Sequence, residues 1–207
     1  MKLKKSVKRF LFSIFLILII IGVVYYIFFY NTKSVKKVKV VNEIKEYGYK
    51  LKDNKSEEYK KLFTELKEIL ESDSVDEDKY AKTIAKMFII DFYSLDDKLA
   101  KTDVGGTDFV HSNALENFKE KAENTMYKYV ESNIYGNRSQ SLPEVKSVKI
   151  ESVEKEAFTY LEDVDDDAYN IKVSWTYKDS SNSSGYQKDA TLVFVHEDKK
   201  LSLVELQ

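Results

Sequence analysis

The chain has 207 residues, with 33 basic and 35 acidic side chains, one proline and no cysteine. The 12 Phe, 15 Tyr and single Trp give more buriable aromatic surface than a disordered chain carries, so one domain of ordinary size plus an appendage is expected. Lack of cysteine excludes disulfide stapling, thiolate nucleophiles, zinc ribbons and a lipid-modified cysteine anchor.

The net charge of −2 averages two unlike parts. Residues 1–30 hold five basic side chains and no acidic one, which leaves 28 basic against 35 acidic for residues 31–207, a balance of −7. Only Arg9 and Arg138 are arginine, so bidentate recognition of phosphate or guanine has almost nothing to work with. No nucleic-acid partner is expected.

From Phe10 to Tyr30 run 21 uncharged residues, 16 of them Phe, Leu, Ile or Val. A helix of that length reaches roughly 31 Å at about 1.5 Å per residue, the thickness of a bilayer's hydrocarbon core. At about −0.3 to −0.6 kcal/mol per apolar residue, insertion is favoured by several kcal/mol. Lys2, Lys4, Lys5, Lys8 and Arg9 precede the span and assign residues 1–9 to the cytoplasm under the positive-inside rule. Lys33, Lys36, Lys37 and Lys39 follow it closely and weigh against that assignment. Tyr25, Tyr26 and Tyr30 fit an interfacial aromatic belt. A cleaved secretory signal is the alternative, opposed by the length of the apolar run and by the lack of a small-x-small site in YNTKSVKK. The sequence therefore predicts an uncleaved single-pass anchor in the cell membrane with an extracellular C-terminal domain. Abundant Lys, Ile, Asn and Tyr with scarce Arg points to a low-GC bacterial host.

Residues 31–55 read as a stalk, with a short strand in VKKVKVV and a polar stretch around Gly48. Residues 56–207 read as the outer domain. Ser56 is a suitable N-cap with Glu57 and Glu58 behind it, and Tyr59, Leu62, Phe63, Leu66, Ile69 and Leu70 share one helical face. Ser74 and Glu77 form a capping-box pattern for a second helix to about Tyr93, with Tyr80, Ala81, Ile84, Phe88 and Phe92 inward. A third helix starts near Asn113, presents Leu115, Phe118, Ala122, Met126, Tyr129 and Val130, and stops by Gly136. After Pro143 the apolar period changes from 3.6 to 2. Strands are predicted at Val145–Val153, Phe158–Leu161, Tyr169–Tyr177, Thr191–His196 and Leu201–Leu206, with an acidic turn at Asp163–Asp167 and a second turn at Glu197–Lys200. Helices followed by a meander give an α+β fold, three helices on a curved antiparallel sheet.

Asp91 is the one candidate site residue, because helical spacing puts it amid Ile84, Met87, Phe88 and Leu95. A desolvated carboxylate there serves as a general base in a cavity, or it accepts backbone N–H bonds from a neighbouring loop such as Gly105–Thr107. The acidic clusters Asp73, Asp76, Glu77, Asp78 and Asp163, Asp165, Asp166, Asp167 lack the glycine and terminal glutamate of a calcium loop. His111 and His196 have no ligand pair beside them, so no metal and no catalytic triad is expected. Gly105–Gly106 lacks the Lys-Ser or Lys-Thr of a phosphate cradle and reads as a turn. Asn54, Asn137 and Asn182 match glycosylation triplets by chance in a bacterial chain. No cofactor motif is present.

The order of one span, a stalk, three helices and a terminal meander around the Trp175 strand resembles membrane-anchored nuclear-transport-factor-2-like (cystatin-like cone) domains. It resembles in particular the single-span assembly factors of conjugation and type IV secretion channels. The resemblance covers residues 56–207 and is architectural, so no functional residue is transferred. It implies self-association or scaffolding at the envelope without catalysis, with the bilayer and a protein partner as contacts. The alternatives are a small-molecule-binding or enzymatic cone using Asp91 in an internal cavity, and a sensor, for which a nine-residue cytoplasmic tail leaves little output.

Overall fold

The computed structural model describes residues 5–30, 35–179 and 185–207; Lys2, Lys4, Lys33 and Asn182 fall outside them. The chain divides into two compact units, Met1–Lys36 and Lys37–Gln207. In the first, α1 (Lys5–Tyr30) is one helix whose stretch Val7–Ile27 is long and apolar enough to cross a membrane, with none of it buried. The Ser13 hydroxyl donates to the Arg9 carbonyl at 3.1 Å, so this polar group is satisfied within its own apolar helix.

The second unit opens with a hairpin of β1 (Val40–Ile44) and β2 (Tyr49–Lys52). Gly48 takes φ 70° at its turn and donates to the Ile44 carbonyl at 2.8 Å. Ile44, Tyr49 and Leu51 are buried in the main core, and the Tyr49 hydroxyl bonds the Tyr80 hydroxyl at 2.6 Å. The second half of the predicted stalk is therefore part of the domain. Short length and flanking lysines hid its alternation.

Helix α2 (Glu57–Leu70) begins as predicted, with the Ser56 hydroxyl accepting from the Tyr59 N–H, and buries Tyr59, Leu62, Phe63, Leu66 and Leu70. Helix α3 (Glu77–Tyr93) is capped by Asp76, which accepts from the Lys79 N–H at 3.0 Å, in place of the predicted Ser74. A carboxylate at this end also complements the helix dipole. Eleven residues of α3 are buried, more than one helical face holds, because α2 packs on one side and β3 and β4 on another. Two short 3-10 turns (Thr107–Phe109 and Ser112–Ala114) lead into α4 (Leu115–Asn124). Helix α4 is shorter than predicted: the chain leaves helical geometry at Thr125 and turns Tyr127 fully inward, leaving Tyr129 75% exposed.

The sheet is an antiparallel meander in the order β3-β4-β5-β6, made of β3 (Val145–Tyr160), β4 (Asp163–Tyr177), β5 (Asp189–Glu197) and β6 (Lys200–Leu206). Tyr169, Ile171, Val173, Trp175 and Tyr177 alternate into the core as expected. Val145–Val153 and Phe158–Leu161 are not separate strands: β3 runs through both, with bulges that bend it. The acidic segment Asp163–Asp167 is strand rather than turn. It pairs with β3 alone while β5 joins β4 from Tyr169 onward, so this two-stranded ribbon has little buried face to imprint an alternation. The architecture is α+β, as the change of period predicts.

Candidate functional site

Asp91 stands in the last turn of α3, and its geometry is set by three segments converging on it. Lys55 lies between β2 and the cap of α2, and Lys98 in the turn that follows α3. The Asp91 Oδ1 accepts from Lys55 Nζ at 2.6 Å and from Lys98 Nζ at 2.9 Å. Asp97 closes the cluster, accepting from Lys98 Nζ at 2.5 Å and from Lys55 Nζ at 3.0 Å. The Lys98 side chain is 1% exposed, that of Lys55 7% and that of Asp91 13%. Two ammonium groups and two carboxylates thus form a formally neutral, largely desolvated square. Burial opposes ionisation of Asp91, but the charges of Lys98 and Lys55 and the Gly106 N–H outweigh it and hold the carboxyl far below its usual range. Burial likewise disfavours the Lys98 ammonium, and Asp91 and Asp97 more than reverse this, raising its pKa.

The remaining oxygen of Asp91, Oδ2, accepts from the Gly106 N–H at 2.9 Å. Gly105 N–H donates to the Tyr127 hydroxyl at 3.1 Å, and that hydroxyl donates to the Phe92 carbonyl at 2.6 Å. The loop comes so close that a Cβ on Gly105 would sit 2.0 Å from the Asp91 carbonyl oxygen, while Gly106, at φ 74°, would drive one into the Phe88 ring at 2.7 Å. These glycines are a close-approach turn. The Arg138 guanidinium, its side chain 2% exposed, donates to the carbonyls of Lys98 at 2.8 Å and Asp96 at 2.6 Å, which clamps the turn bearing Lys98. Asp91 therefore joins helix, loop and hairpin. A cleft of about 200 Å³ beside it is lined by Lys55, Tyr59, Asp91, Asp97 and Glu144 among others.

The other sequence candidates sit elsewhere. His196, on β5, bonds the Asp165 carboxylate through Nδ1 at 2.8 Å and faces Glu77 through Nε2 at 3.3 Å. The same Asp165 oxygen accepts the His196 backbone N–H at 2.7 Å, so acidic ribbon, β5 and the start of α3 are strapped together. Burial lowers the His196 pKa, and the bonds to and charges of Asp165 and Glu77 outweigh it, for a net increase. His111 accepts from the Asn113 N–H and packs on Tyr160. The two acidic clusters divide: Asp76 caps α3, while Glu77 and Asp165 hold His196. Among the described residues no group of three or more histidine or carboxylate side chains is arranged to hold a metal ion. Asn54 is half-buried with its amide on the Asp97 carbonyl at 3.2 Å, and Asn137 is exposed.

Sequence reasoning missed Lys55, Asp97 and Lys98: it foresaw the backbone N–H partner of Asp91, supplied by Gly106, but not the cations. It also missed a second cleft of about 360 Å³, walled by the end of α3, by α4 and by β6, with Phe92, Phe118, Ala122, Met126, Leu203 and Leu206 among its lining residues. No family model, curated protein or solved structure matches this chain.

Proposed function

We propose that this chain is a single-pass membrane-anchored protein of a low-GC bacterium, its N-terminus cytoplasmic and its α+β domain extracytoplasmic, serving as a binding or scaffolding module rather than a catalyst. The observation that carries it is the helix Val7–Ile27, apolar throughout its middle and unburied, in a chain whose hydrophobic core is built from Ile44 onward. An exposed apolar helix of this length is suited to lipid, and the length of the run favours a retained anchor over a secretory signal. The basic tail before the span supports the orientation. The architectural resemblance to cone-shaped assembly factors supports a role at the envelope, through self-association or a protein partner.

The enzymatic alternative placed Asp91 as a general base. A base must be free to take a proton near working pH, and this carboxylate is committed to two ammonium groups and an amide N–H. Its depressed pKa leaves it with almost no basicity. Crosslinking in intact cells followed by identification of the linked species tests the proposal. A discrete partner or a second copy linked through residues 37–207 is expected. Recovery of monomer alone across several linker chemistries would contradict scaffolding.

A further inference from the structure

The cleft between α4 and β6 pairs an apolar wall with an open sheet edge. Strand β6 ends the sheet. Its outer side is engaged along the first half: the Leu201 N–H donates to the Tyr80 hydroxyl at 3.1 Å, and at the parallel bridge Val110–Leu203 the His111 N–H donates to the Leu203 carbonyl at 2.9 Å. Beyond that point no described strand lies beside it. Gln207 exchanges both backbone bonds with Thr191 at 3.0 Å, so by antiparallel alternation the N–H and C=O of Leu206 point away from β5, toward the free side. An open edge of this kind is a template for another strand.

Opposite the edge stand Phe118, Ala122 and Met126 of the α4 region, with Phe92 of α3 behind them. Past the bridge the edge runs over residues 204–207, four at about 3.4 Å each, and α4 over ten residues at about 1.5 Å each, so the two walls are roughly 14 and 15 Å long. That is room for four or five extended residues. The cleft volume of about 360 Å³ lies within the usual range for ligand sites, about 300–1,000 Å³. Lys121 and Glu205 also line it, one charge of each sign. This arrangement offers no net field to select an anionic amphiphile and suits an uncharged backbone.

We propose that this cleft takes an extended apolar segment of a partner protein, four or five residues long, added to β6 as a strand. The chain itself begins that addition at Val110–His111, and the occupant continues it past Leu203. Backbone bonds to the edge supply affinity, and alternate side chains enter the apolar wall. The inference builds on the domain being a binding module and names its partner's chemistry.

The test uses the full chain in detergent micelles, immobilised, with a pool of terminally blocked pentapeptides. These carry Val, Leu, Ile or Phe at positions one, three and five and Thr between them. Mass spectrometry is expected to find some members enriched at least tenfold over the Met126→Trp variant, whose added ring occludes the cleft. The same pool N-methylated at alternate amides should lose that enrichment, which keeps the test sound if the variant folds poorly. Equal enrichment of the methylated pool, no enrichment of any peptide, or saturable binding of decanoate alone would each overturn the proposal. Crosslinking in cells reads the anchored binding role separately, so failure of the peptide pool and failure of that role are distinguishable.

Discussion

At the residue scale, the decisive chemistry is how Asp91 is neutralised. A carboxylate stripped of water is tolerated because Lys55, Lys98 and the Gly106 N–H replace the lost hydration. Asp91→Asn keeps the shape but leaves two ammonium groups sharing Asp97, and it should destabilise the domain by about 3 kcal/mol. Urea unfolding followed through Trp175, which is buried against Tyr93 at 4.4 Å, measures this; a change below about 1 kcal/mol would show that the square is not structural. Gly105→Ala should cost about 3 kcal/mol in the same assay, because its Cβ meets fixed backbone rather than a movable side chain. The helical spacing that exposed Asp91 as anomalous is legible in sequence. Its cations were not, since Lys55 lies 36 residues away and nothing local separates a buried lysine from the many solvated ones.

At the scale of elements, the strap between ribbon, β5 and α3 makes stability depend on pH. His196 has its pKa raised above the ordinary 6.5, so its contribution is complete below that value and fades as pH rises through the raised pKa. Glu77 and Asp165 have theirs lowered from 4.5 and 3.8, so theirs is complete above those values and fades as pH falls through the lowered ones. The strap should thus be tightest between about pH 4.5 and 6.5. His196→Gln should flatten the decline in melting temperature from pH 6 to 8; an unchanged decline would assign it to other groups. Strong periodicity made α2, the central strand and the meander order legible. The β1–β2 hairpin and the acidic ribbon escaped because one is too short and the other too solvated to bury a regular face. A fragment of residues 37–207 should therefore unfold cooperatively, whereas 56–207, lacking Ile44, Tyr49, Leu51 and Lys55, should not.

At the scale of the whole molecule, a committed apolar helix stands in sequence before an acidic domain. Replacing Ile19 and Ile20 with arginine adds about 5–7 kcal/mol to the insertion free energy and should move the chain from carbonate-washed membranes to the soluble fraction. The most direct test of an outward-facing anchored domain exploits the absence of native cysteine. A single cysteine is placed at Lys5, before the span, or at exposed Tyr135 in the domain, and intact wall-stripped cells are treated with a membrane-impermeant maleimide. Tyr135→Cys should label in intact cells and Lys5→Cys only after lysis. Labelling of Lys5→Cys with protection of Tyr135→Cys would invert the topology and contradict the account.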